Sequence, residues 1–224
     1  MSIEKELSEL MVEAYTHQKN NDLSLAIQAW NGLINHPSVD DNLKANAYLS
    51  LGNLHQLQGS DDLAIESMSN AIQANPNSAE AYFCLAYLEQ EKENFSSAIG
   101  YFEQAIELKN TDSGAFNNLG NCYDRLERSD EAINAYSQAI ALDENYIAAI
   151  YNRGNIYTKL GINNLALKDL DKVIELDENF YQAFYNRGTL HNLMGNLERS
   201  KQDLSIAKTL SKAELELKST LNKG

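Results

Sequence analysis

The amino-acid sequence predicts an all-α fold built from stacked helix–turn–helix units, and three observations carry that prediction. Near copies recur at a fixed step: AIYNRGNIYTKLG at 149–161 returns 34 residues later as AFYNRGTLHNLMG at 183–195. Within such copies apolar residues fall three and four apart, as in Ala98, Ile99, Phe102, Ala105 and Ile106, which is one face of a helix. Only 2 prolines interrupt 224 residues otherwise rich in Ala, Leu, Asn and Glu, a composition that favours helices over strands.

The first unit, 7–44, is degenerate: Leu10, Ala14, Ala26, Trp30 and Leu33 keep the spacing of the later units. Ala26 precedes Ala64 by 38 residues, so four extra residues are expected in a loop within HPSVDDNLK. Five regular units follow at 45–78, 79–112, 113–146, 147–180 and 181–214. Their columns are Gly52, Ala86, Gly120, Gly154, Gly188 and Ala64, Ala98, Ala132, Ala166, Ser200, beside the bulky Met68, Phe102, Tyr136, Leu170, Leu204. Small residues let two helices approach while bulky ones fill the space beside them. Gly59, Gly161 and Gly195 fall where a first helix ends, and Pro37, Pro76 and the DEN triplets at 143–145 and 177–179 fall between units. The stack is expected to stop after the fifth copy, because the Ile65, Ile99, Ile133, Leu167 column becomes Lys201. Residues 1–214 then form a single array. Residues 215–224 form a terminal cap helix or tail, whose Leu210, Leu217 and Leu221 shield the last unit.

The period, the Leu51-Gly52 and Leu119-Gly120 pairs, the alanine columns and Pro76 resemble the tetratricopeptide repeat family, TPR, over residues 7–214. The family's Trp is missing from the five regular units and its Pro appears once. The resemblance implies a right-handed superhelix (an α-solenoid) of six repeats with a concave inner face. It also implies a non-enzymatic adaptor that binds an extended segment of another protein in that groove.

The residues themselves nominate the surface. The stripe left over after packing reads Asn117, Asn118, Asn121, then Tyr151, Asn152, Asn155, then Tyr185, Asn186, Thr189. Asparagine offers a donor and an acceptor, matching a peptide group, and tyrosine adds apolar area. The face is expected to be uncovered, so that truncating Asn118, Asn152 and Asn186 leaves the fold intact. The alternative is that these asparagines are solvated or bridge adjacent helices. Phe83 and Tyr87, with acids around them, suit a partner segment bearing Lys or Arg. The lysine-rich carboxylate clamp of co-chaperone TPR proteins is unmatched, since only Arg125 and Lys159 are near. Arg153 and Arg187 replace leucines, and each is followed 16 residues on by an aspartate, Asp169 and Asp203. That correlation predicts structural ion pairs, bidentate where geometry allows.

Other classes are disfavoured. A net charge of −14 repels phosphate backbones and argues against nucleic acid, although residues 181–224 carry 7 bases against 4 acids. The first residues contain no uninterrupted apolar run, no stretch is long enough to cross a membrane, and Cys84 and Cys122 make no disulfide framework. A cytoplasmic protein is expected, with no cofactor and no metal, since His17, His36, His55 and His191 form no ligand pair. Two alternatives to the adaptor are a scaffold assembling with itself through repeat ends or the convex face, and a regulatory subunit of an enzyme complex.

Overall fold

The computed structural model describes residues 3–221, and among them every regular element is an α-helix. The chain divides into two units, Met1–Thr111 and Asp112–Gly224, each considered by itself. The first contains α1 (Ile3–Lys19), α2 (Leu23–Ile34), α3 (Asp41–Leu57), α4 (Asp61–Ala74), α5 (Ala79–Glu91) and α6 (Phe95–Leu108). The second contains α7 (Ser113–Arg125), α8 (Ser129–Leu142), α9 (Ile147–Lys159), α10 (Asn163–Leu176), α11 (Tyr181–Leu193) and α12 (Leu197–Leu221).

Helices pack in consecutive pairs, and the glycine column explains how closely. A Cβ on Gly52 would meet the Met68 methyl at 2.5 Å, and one on Gly120 would meet the Tyr136 ring at 2.6 Å. Glycine is therefore required wherever the facing side chain of the second helix lies directly over the first helix. The alanine columns 47, 81, 115, 149, 183 and 64, 98, 132, 166 are fully or almost fully buried. In the degenerate repeat the largest core side chain is Trp30, whose ring meets Tyr15 edge-on at 4.8 Å.

Turn chemistry repeats with the same period. The residue after each first helix is left-handed: Gly59, Glu93, Glu127, Gly161 and Gly195 all have φ between 59° and 79°. Between repeats, Asn75, Asp143 and Asp177 each accept a hydrogen bond from the amide two residues on. First helices start on side-chain caps at Asp40, Ser78 and Asp112. At the same position in the last two repeats stand Tyr146 and Phe180, and Phe180 packs edge-on against Tyr151 at 5.0 Å.

Two expectations are corrected. The four-residue insertion is not in a loop: α3 begins at Asp41 and is 17 residues long against 13 for α5, so most of it becomes an added helical turn. The boundary expected at 214/215 is not a break either, because α12 runs for 25 residues without interruption. Nothing between Lys208 and Lys218 forces a stop, there being neither proline nor glycine. Leu210 is half-buried and Leu215 is exposed, whereas the side chains of Leu217 and Leu221 lie outside the described residues.

Candidate functional site

The nominated stripe lies on the first helices of the second unit, where α9 touches both α7 and α11. Its asparagines join those helices to one another. Asn152 Nδ2 donates to Asn121 Oδ1 at 3.0 Å and approaches Asn117 Oδ1 at 3.5 Å. One repeat on, Asn186 Nδ2 donates to Asn155 Oδ1 at 2.7 Å and to the Tyr151 hydroxyl at 2.9 Å. Asn121 Oδ1 also accepts from the Tyr136 hydroxyl at 2.9 Å, tying the row to the second helix α8.

The face is accordingly half-buried and not open. Asn117 is buried, and Asn118, Asn121, Asn152, Asn155 and Asn186 are half-buried. Tyr185 and Thr189 project into solvent, with Tyr185 57% exposed. Truncating Asn152 or Asn186 would strip donors from a helix–helix junction, so the expectation of a structurally silent triple variant fails. Removing one partner of a buried hydrogen bond strands the other, at a cost of about 1–3 kcal/mol.

In the first unit Phe83 is half-buried and packs edge-on against Phe102 at 5.7 Å, while Tyr87 is exposed. Lys92 Nζ bridges back to Asp62 at 2.6 Å, linking the end of α5 to the start of α4. In the second unit Lys159 reaches Asp124 on α7 at 2.7 Å. Both cations are thus engaged between neighbouring repeats.

The structure brings each arginine to its aspartate. Arg153 Nε and Nη2 donate to the two carboxylate oxygens of Asp169, both at 2.8 Å, and Arg187 does the same to Asp203 at the same distances. These bonds hold both guanidinium groups more firmly protonated than usual, against the opposing effect of partial burial. Sequence reading missed the third contact. Arg153 Nη1 donates to Ser137 Oγ at 3.0 Å and Arg187 Nη1 to Asp171 Oδ1 at 2.6 Å, both in the second helix of the preceding repeat. Its signal was present, since Ser137 and Asp171 precede their arginines by 16 residues as Asp169 and Asp203 follow them.

The remaining titratable groups describe inert positions. Burial pushes the Cys84 thiol up to about 11 and the Cys122 thiol up to about 12, leaving neither as a thiolate near neutrality. Among the described residues no cluster of His, Cys, Asp or Glu has the arrangement of a metal site. No described helix is long and apolar enough to cross a membrane.

Comparison with known proteins agrees with this architecture. Models of the tetratricopeptide repeat match residues 45–78, 79–112, 114–146 and 147–180, together more than half of the chain. Among solved structures, YrrB, described as a TPR protein with an unusual peptide-binding site, is 24% identical with a TM-score of 0.71. That match covers 83% of this chain and 93% of YrrB. MamA is 23% identical with a TM-score of 0.72, covering 74% of this chain and 97% of MamA. PilF of Pseudomonas aeruginosa is 19% identical with a TM-score of 0.65, covering 75% of this chain and 77% of that one. Such likeness establishes the all-α repeat fold. A search of curated proteins returned no match.

Proposed function

As the chain belongs to the tetratricopeptide repeat family, we propose that it is an interaction adaptor without chemistry of its own, binding an extended segment of a partner protein along the first helices of its second unit. One observation supports this reading above the others: the asparagine row is fixed before any partner arrives. Asn152 and Asn186 donate across neighbouring helices at equivalent positions, so α7, α9 and α11 present a face of defined spacing. A surface already ordered loses less entropy when a partner docks. Upon that face Tyr185 supplies a largely exposed aromatic ring, the kind of side chain that dominates binding energy at interfaces. Asn118 and Asn155 keep amide N–H groups without an acceptor among the described residues, available to a partner's carbonyls. Phe83 and Tyr87 with their acidic surroundings suit a second, basic contact in the first unit. The free thiols of Cys84 and Cys122 suit a reducing, cytoplasmic setting. The likeness in fold to YrrB, described as carrying a peptide-binding site, is consistent with this reading.

Selection of random displayed peptides on the full chain tests the proposal. The right competitor is the Tyr185→Ala/Thr189→Ala variant, because these side chains project into solvent and bridge no helices. Peptides that bind wild type should lose about tenfold or more in affinity for the variant. Selected peptides that bind both proteins equally would refute the assignment of this face, as would a chain that enriches no peptide and associates only with itself.

A further inference from the structure

Three helices of the second unit, α10, α11 and α12, enclose a cavity of about 310 Å³. Repeat register shows where its room comes from. The position of His191 is Tyr123 and Tyr157 in the two preceding repeats. Tyr157 lies beside the Arg153 guanidinium, 5.9 Å from its ring centroid, and the smaller imidazole of His191 leaves the matching space beside Arg187 open.

The walls are polar at one end and apolar at the other. His191 is 6% exposed, and its Nδ1 has no hydrogen-bond partner among the described residues. His17 and His55 share that column and an unpaired Nδ1; at His191 the ring also lines a cavity with two arginines. Arg187 is largely committed, donating through Nε and Nη2 to Asp203 and through Nη1 to Asp171. Arg199 forms no ion pair among the described residues, and Gln202 stands one turn further along α12. Leu167 and Ile206 complete the lining with aliphatic surface.

We propose that this cavity binds a single carboxylate group on an aliphatic stem, with Arg199 and Gln202 holding the oxygens and His191 Nδ1–H donating from beneath. A buried nitrogen without a partner is costly, and a carboxylate supplies the acceptor it lacks. The planar guanidinium fork of Arg199 matches a carboxylate, and its charge is not already neutralised by a neighbour. A phosphate dianion fits less well, because Asp171 and Asp203 share the cavity. Residues 181–224 carry the only regional excess of bases in an otherwise acidic chain, which draws anions to this end. The site is separate from the first-helix face, so it stands or falls independently of the proposed adaptor groove.

The test is a titration of the full chain with sodium N-acetylglutamate, followed by NMR of the Arg199 side chain and the His191 ring. Sodium chloride at matched ionic strength separates binding from screening. Saturable shifts with a dissociation constant on the order of 1–10 mM are expected for one carboxylate. They should disappear in Arg199→Gln, which removes the fork, and in His191→Tyr, which restores the ring of the preceding repeats and fills the cavity. Tyr185→Ala should bind as wild type does. A short Gly/Ser peptide with one central glutamate distinguishes the sources. Binding about tenfold tighter than N-acetylglutamate assigns the carboxylate to a partner protein's side chain; equal binding assigns it to a free small acid. Absence of saturable shifts, or shifts that persist unchanged in both cavity variants, would overturn the proposal.

Discussion

Gly120→Ala isolates the packing rule that builds every repeat. The new Cβ would lie 2.6, 2.7 and 3.0 Å from Cε1, Cδ1 and Cζ of Tyr136, where ordinary contact begins near 3.4 Å. The ring must retreat by close to an ångström, but Tyr136 is fully buried and its hydroxyl is anchored to Asn121 Oδ1. Overpacking of this kind costs about 1–3 kcal/mol. Weakening the hydroxyl bond adds about 1 kcal/mol. Alanine's better helix propensity returns about 1 kcal/mol. The net expectation is a loss of about 1–3 kcal/mol. Gly52→Ala is the internal control: its Cβ meets the methyl end of Met68, which can swing aside, so overpacking and propensity nearly cancel. Repeat 2 shows that alanine is compatible with the column when the facing ring is not tethered, since Ala86 stands opposite Phe102. Urea unfolding followed by circular dichroism measures the difference, and fluorescence of the single tryptophan, Trp30, reports separately on the first unit. In the Gly120→Ala background, Tyr136→Phe should recover part of the loss by releasing the anchor, a coupling that a double-mutant cycle reads. The reasoning is refuted if Gly120→Ala is as stable as wild type, or less destabilising than Gly52→Ala.

Two further variants probe turns and ion pairs. Glu127 is held in the left-handed region at φ 59°, where its neighbours in the column are glycines at Gly161 and Gly195. Glu127→Gly should therefore raise the urea midpoint, with removal of about 1 kcal/mol of backbone strain offset only in part by chain entropy; a lowered midpoint would contradict this. Arg153→Met leaves Asp169, 3% exposed, without its guanidinium and should cost about 3–5 kcal/mol. Arg153→Met/Asp169→Leu should recover most of that loss, and a double variant no more stable than the single one would show that the pair is not the source.

Period and packing columns are legible in one sequence because each repeat imposes the same steric demand at the same offset. A glycine at 52, 120, 154 and 188 and an alanine at 64, 98, 132 and 166 report the same close approach between paired helices. The arginine–aspartate pairs are legible for a related reason: a leucine replaced by an arginine needs a counter-charge, and the repeat supplies a fixed place to look for it. What the sequence hides is competition for a versatile side chain. An asparagine at 152 satisfies the requirements of a ligand-binding residue and of a bridge to Asn121 equally well, since both uses call for one donor and one acceptor. Glu93 and Glu127 hide for the opposite reason. A glutamate gives no warning of a left-handed backbone, which becomes visible only when its column with Gly59, Gly161 and Gly195 is set beside the dihedral angles.

The asparagine bridges change how the first-helix face must be understood. Polar groups spent between α7, α9 and α11 are not lost to recognition; they fix the separation of successive first helices, and thereby of everything that projects from them. Tyr151 illustrates the division of labour: its ring packs against Phe180 and its hydroxyl accepts from Asn186, so it supports the face. Tyr185, one repeat on, has the same chemistry and is largely exposed, so it is free to meet a partner. Equivalent residues in identical columns therefore do different work according to whether another repeat's side chains reach them. Selectivity among partners should follow the projecting residues Tyr185 and Thr189, while changes at Asn121, Asn152 or Asn186 should alter stability and binding together.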